Sequence, residues 1–290
     1  MSRIRYCYLD TDYGQIHARC AGSGEPVVLL HLTPGSGAQF DHVLPHLADQ
    51  GYEVWALDLL GNGRSAPLPE GYRFETGAEA IAQAVDAAGL RGVKLVSGHM
   101  SAQMAVEAVV TRPELATHLV MDGLPLWDRA TRERIIGLFD NSAPAPQEDG
   151  SHVLEAWRRA LHLHRAWNPQ LAMDAPGARR LNRALIDSLE QGVDMQRGAA
   201  AFLAYEVRPQ LEKLTLPVLV TTATEDTLYD QHEITMAALP QARSHEFQGA
   251  HPRHRDAAAA EYVQVLVDFF STPAPAGVAE LPRTRESARF

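Results

Sequence analysis

Three histidines and three aspartates stand at or just after short apolar runs, where their side chains could meet. His31 opens the segment His31-Leu32-Thr33-Pro34-Gly35-Ser36-Gly37, and Asp58 follows the run Glu53 to Leu57. His99 lies in Ser97-Gly98-His99-Met100-Ser101, Asp122 follows Thr117 to Met121, and Asp226 follows Pro217 to Thr222. His251 closes Gly249-Ala250-His251. Imidazole and carboxylate are the working groups of general acid–base chemistry: His titrates near neutrality, and a carboxylate beside it fixes its tautomer. A metal reading draws on the same side chains, with His31, His99, His251 and His254 as imidazole ligands. The remaining histidines need no special role, although His162 and His164 could face a pocket.

These residues need elements that bring them together. Arg5 to Leu9 and Gln15 to Cys20 alternate as two antiparallel strands joined at Asp12-Tyr13-Gly14. Pro26 to His31 is continuously apolar, as in a strand buried on both faces of a parallel sheet. The pattern then alternates: helix Gln39 to Asp49, strand Glu53 to Leu57, helix Gly77 to Ala88, strand Val93 to Ser97, helix Ser101 to Thr111, strand Thr117 to Met121. Such alternation predicts βαβ units and a parallel sheet. From Pro125 to about Arg208 only helical patterns occur, over Ala130–Phe139, Leu154–Trp167, Ala178–Leu189 and Arg197–Tyr205. Strand Pro217 to Thr222, helix Glu233 to Leu239, strand Ser244 to Phe247 and helix Ala257 to Phe270 complete the domain. In an open parallel sheet ligands bind beyond the carboxyl ends of the strands, which is where the histidines and aspartates fall.

The 290 residues are 46% apolar and 21% charged, a globular balance. A net charge of −10 argues against nucleic acid as the main partner, because phosphate binding needs clustered Lys and Arg. No window approaches the ~18 apolar residues of a membrane span. The segment MSRIRYCYLDTDYGQ lacks the apolar core of a secretory signal, so a cytoplasmic protein is expected. Cys7 and Cys20 are too few for a disulfide framework or a zinc site, and are expected as reduced thiols packed in the first strands. Gly61-Asn62-Gly63-Arg64-Ser65 lacks the lysine of a phosphate-binding loop and reads as a structural turn.

Taken in order, HLTPGSG at His31–Gly37, LDLLGNGRS at Leu57–Ser65, the strand–turn–helix at Leu95–Ala105, TATED at Thr222–Asp226 and QGAHP at Gln248–Pro252 resemble the cap-bearing branch of the α/β-hydrolase superfamily. The resemblance runs from about Asp12 to Phe270. It implies a mostly parallel eight-stranded sheet flanked by helices, with a helical cap. The implied organisation is core 1–124, cap 125–208, core 209–271 and a mobile tail 272–290.

The family's elbow motif is small-x-nucleophile-x-small. Ser97 and Ser101 fit the small positions, and His99 then takes the nucleophile's place. The register is supported by Pro113 fourteen residues on and Ala105 six on, where the family has its helix-ending proline and a small residue. The resemblance further implies His251 as general base or acid and Asp226 as its orienting acid, with Asp122 as the other candidate acid. The oxyanion hole would use the backbone N–H groups of Met100 and Thr33. The loop reads His31-Leu32 where the family has His-Gly, so its backbone angles are expected to differ. His31, Leu32, Trp127, Trp157 and Trp167 are the candidate substrate contacts.

The expected protein is therefore a cofactor-independent, metal-free enzyme acting on a small or mid-sized organic carbonyl or ester. A coupled His99/His251 pair would replace the usual Ser–His dyad, one imidazole staying neutral near pH 7 to serve as base. The same pair could instead drive a lyase, decarboxylase or isomerase reaction, and an inactive elbow would suit a non-catalytic binder. Beyond its substrate, the partner to expect is a second copy in a homodimer, with neither nucleic acid nor membrane.

Overall fold

A computed structural model describes residues 2–139, 145–167, 173–192, 194–249 and 259–274. Eight strands form one sheet in the order β1-β2-β4-β3-β5-β6-β7-β8. They are β1 (Arg5–Thr11), β2 (Gly14–Gly22), β3 (Glu25–Leu30), β4 (Tyr52–Leu57), β5 (Val93–Gly98), β6 (Ala116–Asp122), β7 (Val218–Ala223) and β8 (Arg243–Phe247). β1 pairs antiparallel with β2, and β2 with β4; every other pairing is parallel. β5, β6 and β7 are buried along their whole length, and β3 from Pro26 on, because helices cover both faces.

On one face lie α2 (Phe74–Ala87) and α3 (Met100–Thr111), packed over Val28, Leu30, Leu95 and Leu119. On the other lie α1 (Val43–Asp49) and α10 (Ala259–Phe270), whose Leu44, Leu47, Tyr262, Leu266 and Phe269 close over Val27, Leu29 and Val96. From β3 the chain crosses to β4 on one side, and from β4 back over to β5 on the other. The strand order therefore reverses at β3 and β5, opening a crevice beyond their carboxyl ends.

Among the described residues between β6 and β7 are the helices α4 (Arg129–Phe139), α5 (Ser151–Trp167), α6 (Ala175–Gln191) and α7 (Asp194–Ala204), then the short α8 (Arg208–Leu211). This insertion is fastened over the loops that follow β3 and β4. Leu68 N–H donates to Asp194 Oδ2 at 2.8 Å, Arg197 to Leu68 O at 2.8 Å, and Gln191 Nε2 to Asn62 Oδ1 at 2.8 Å. Helix α9 (Gln231–Ala238) links β7 and β8.

The expected helix Gln39–Asp49 is in fact a 3₁₀ turn, Gly37–Phe40, followed by a separate α1. Pro45 explains the break, since it has no N–H to give residue 41 and its ring clashes with that carbonyl. Helices α2, α5, α6 and α7 each begin about one turn before the expected start. Apolar periodicity marks the buried stripe, whereas the start is set by capping: Gly177 N–H donates to Asp174 Oδ1 at 2.9 Å, and Ser151 N–H to Asp149 Oδ1 at 2.9 Å.

Candidate active site

β5 runs straight into α3 through a single residue, His99, at φ 53° and ψ −122°. It is the only non-glycine with positive φ among the described residues. Such a conformation costs of order 1–3 kcal/mol and persists only where the surroundings impose it. Here His99 N–H donates to Gly123 O at 3.0 Å, and Ala102 N–H donates to His99 O at 3.1 Å. The Ser101 hydroxyl accepts from Gly98 N–H at 3.0 Å and lies 2.9 Å from Gly98 O. Ser101 is fully buried in that turn, so the hydroxyl nearest the elbow is committed to backbone.

The tight turn projects the His99 ring toward the end of β7. Nε2 lies 3.1 Å and 3.3 Å from the two carboxylate oxygens of Asp226. Asp226 is aimed by its own turn: its N–H donates to Ala223 O at 2.8 Å, and Leu228 N–H donates to Oδ1 at 2.9 Å. The ring passes over Gly123, where an added Cβ would stand 3.4 Å from His99 Cδ2. Both side chains are mostly shielded, 18% and 9% exposed. With Nε2–H given to the carboxylate, Nδ1 carries the lone pair. The arrangement supplies an imidazole whose orientation and tautomer are fixed by an adjacent carboxylate.

Sequence reasoning paired Asp226 with His251; in the structure Asp226 reaches His99. His251, and with it the expected His99/His251 contact, falls outside the described residues, as does His254. Asp122, the other candidate acid, is buried at the end of β6 and accepts from the Thr221 and Tyr262 hydroxyls, tying β6 to β7 and α10.

Met100 N–H, the first of α3, and Thr33 N–H find no acceptor among the described residues. The Thr33 loop is clamped from within. Leu32 N–H donates to Gln39 Oε1 at 3.0 Å, and Gln39 Nε2 returns a bond to Leu32 O at 3.1 Å. Leu32 is not among the residues with positive φ, so the leucine sits in the loop without left-handed strain. Leu32 itself is buried.

His31 is corrected from substrate contact to structural residue. It is fully buried, Nδ1–H donates to Leu32 O at 2.8 Å, and Nε2 accepts from Leu59 N–H at 3.0 Å. Burial lowers its pKa and keeps it neutral. With both nitrogens engaged it offers nothing to a substrate or a metal. Trp127 is half-buried, its ring edge-on to Phe202 at 6.4 Å, and Trp157 is half-buried on α5. The side chains of Trp167 and His164 lie outside the described residues, and His162 is exposed.

Two acids around the site carry roles that motif reasoning missed. Asp58 is wholly buried and accepts from His17 Nδ1 at 2.9 Å, Arg19 at 3.0 Å, Gly37 N–H at 2.7 Å and Arg64 N–H at 3.0 Å. Burial opposes its charge, but the His17 bond, the Arg64 N–H and Arg19 outweigh it and hold the pKa down at about 2. Asp187 of α6 is buried against Ser36, whose hydroxyl donates to it at 3.3 Å, and burial pushes its pKa up to about 6. The alternating His17 and Arg19 on β2 were the signal for the first. Nothing local marks the second.

Residues 25–252 match the α/β hydrolase fold family, and the chain belongs to it. Among curated proteins it is similar to a proline iminopeptidase of Clostridium botulinum, 31% identical over 130 residues that cover 42% of this chain and 44% of that protein. It is also similar to a non-heme haloperoxidase of Rhodococcus erythropolis, 26% identical over 75% of this chain and 81% of the other. The chain spans less than half the length of the first curated relatives it matches. Among solved structures, an esterase of Exiguobacterium antarcticum superposes with a TM-score of 0.76 at 18% identity, over 92% of this chain and 100% of that one. No helix among the described residues is long and apolar enough to cross a membrane.

Proposed function

We propose that this chain is a hydrolase acting on a small or mid-sized organic carbonyl or ester compound, with the His99 imidazole as general base in place of a nucleophilic hydroxyl. The observation that carries the reading is the elbow itself: an imidazole at its apex, with Nε2 on Asp226 and Nδ1 without a partner among the described residues. The hydrolase names of several relatives support the reaction class. In this reading Nδ1 takes a proton from water as the water oxygen attacks the carbonyl carbon. Asp226 stabilises the imidazolium that forms, and the N–H groups of Thr33 and Met100 receive the developing oxyanion. The imidazolium then returns its proton to the leaving group as the tetrahedral intermediate collapses. His251 serves as the second acid–base group on the strength of its motif. The helices between β6 and β7 act as a lid that sheds water and lines the pocket with Trp127 and Trp157. No step calls for a cofactor or a metal.

A positioned general base contributes about 10²–10⁴-fold. Turnover of p-nitrophenyl butyrate in ¹⁸O-water tests the proposal. Label in the acid product, an unshifted enzyme mass on acid quench and a 10²–10⁴-fold loss in His99→Ala are expected. An acyl adduct on the quenched enzyme, or full activity in His99→Ala, would overturn it. Turnover of a carbonyl compound without label would favour the lyase alternative.

A further inference from the structure

Cys7 and Cys20 belong to neither the site nor its supports. In the β1–β2 ladder Cys7 stands opposite Ala18, and Cys20 opposite Arg5. The cysteines are therefore diagonal neighbours, and since Cys7 shares a face with Ala18 they lie on the same side of the sheet. That side is the α2–α3 core: Cys20 is buried in it, and Cys7 packs against it half-exposed. Cys7 Sγ lies 3.9 Å from Ala18 O, the residue two before Cys20 on the facing strand. The neighbouring Cys7 thiol, with Arg5 nearby, lowers the Cys20 pKa to about 7 against the opposing effect of burial, while the Cys20 sulfur and burial raise Cys7. Two sulfurs thus share one face of the edge hairpin, at a point where the half-exposed Cys7 leads from the buried Cys20 to the surface.

We propose that Cys7 and Cys20 form a redox-active thiol pair that closes to an intramolecular disulfide with hydrogen peroxide as oxidant. The Cys20 thiolate attacks one peroxide oxygen. An S–O bond forms, the O–O bond breaks, and the departing hydroxide takes a proton to leave as water. Cys7 then gives up its proton and attacks the Cys20 sulfenic sulfur. The S–S bond forms, the S–O bond breaks, and hydroxide leaves with that proton as a second water. Two thiols lose two electrons and one peroxide becomes two waters.

A diagonal pair must draw closer to reach the Cβ separation of a disulfide, about 3.8 Å. The fold permits this: β1 is the outermost strand and is bonded only to β2, so it can shift without disturbing a second ladder. The bond would staple β1 to the strand whose His17 and Arg19 hold Asp58, and through Asp58 the loops at Gly37 and Arg64.

The test is mass spectrometry of the full-length protein treated with sub-stoichiometric to tenfold peroxide under native conditions. The expected result is a mass loss of about 2 Da reversed by dithiothreitol, with a reducible cross-link between the Cys7 and Cys20 peptides. Neither Cys7→Ser nor Cys20→Ser should show it, and both should keep the parent's basal turnover. Oxygen added separately at the two sulfurs, two untouched thiols, or a bond between two chains would each overturn the proposal.

Discussion

The backbone at His99 offers a direct measurement of what the elbow costs. At φ 53° and ψ −122° an alanine is strained almost as a histidine is, whereas glycine is at ease. Replacing His99 with Ala or with Gly removes the same ring, the same bond to Asp226 and the same packing over Gly123. Those losses cancel in the comparison. What remains is the relief of about 1–3 kcal/mol of strain in the glycine variant, set against roughly 0.4–1 kcal/mol for the greater freedom of glycine in the unfolded chain. At mid-range values His99→Gly should thus be more stable than His99→Ala by about 1.3 kcal/mol, within about 0.5–2 kcal/mol. For a chain of this size that is roughly 1–3 °C in Tm. Calorimetry or urea titration of the two variants reads the difference, and both should lose about 10²–10⁴-fold in turnover. If alanine proves equal to or more stable than glycine, the elbow is not strained and the account of how the imidazole is presented fails.

Other consequences follow from the acids. Asp226→Asn keeps an acceptor for Nε2–H but loses the charge that stabilises the imidazolium, so kcat should fall by about 10²–10⁴ with KM nearly unchanged, as steady-state kinetics would show. Asp187 has its folded pKa raised from 3.8 to about 6. Its contribution to stability is therefore full below pH ~3.8 and is lost as pH rises through about 6, worth up to ~3 kcal/mol. Asp187→Asn should be more stable than the parent at pH 7–8, with the gap closing toward pH 4 in denaturant titrations. Asp58 shifts the other way, down to about 2. It stabilises the fold above pH ~4 and loses that contribution as pH falls toward 2. Asp58→Asn should cost about 3–5 kcal/mol at neutral pH, because the buried Arg19 loses its fully buried counter-charge and the new amide NH2 faces donors that one carboxylate oxygen had accepted. A change under 1 kcal/mol by urea titration would refute that.

Much of this molecule can be read along the chain. Continuous apolar runs such as Val27–Leu30 and Val218–Val220 mark strands covered on both faces, and the 3.6-residue stripe of α2 or α10 marks a helix covered on one. These patterns are local because each residue's burial follows from the period of its own element. The interruption by helices alone after Pro125, and the strand–turn–helix that sets His99 at its apex, are local in the same sense. The positive φ of His99 is not: nothing in a histidine announces it, and it exists only because Gly123 and the ends of β5 and β6 hold the turn. Likewise no spacing shows that Asp226, 127 residues on, meets His99. β6 lies between their strands in the sheet, and strand order brings the two ends to one crevice. The roles of His31 and Asp122 were decided the same way, by which backbone and hydroxyl groups the assembled core left in need of a partner. Residue type and period determine which elements form and which face they bury. The pairing of distant side chains depends on how those faces dock, and that free energy is shared over the whole core rather than written at any one position.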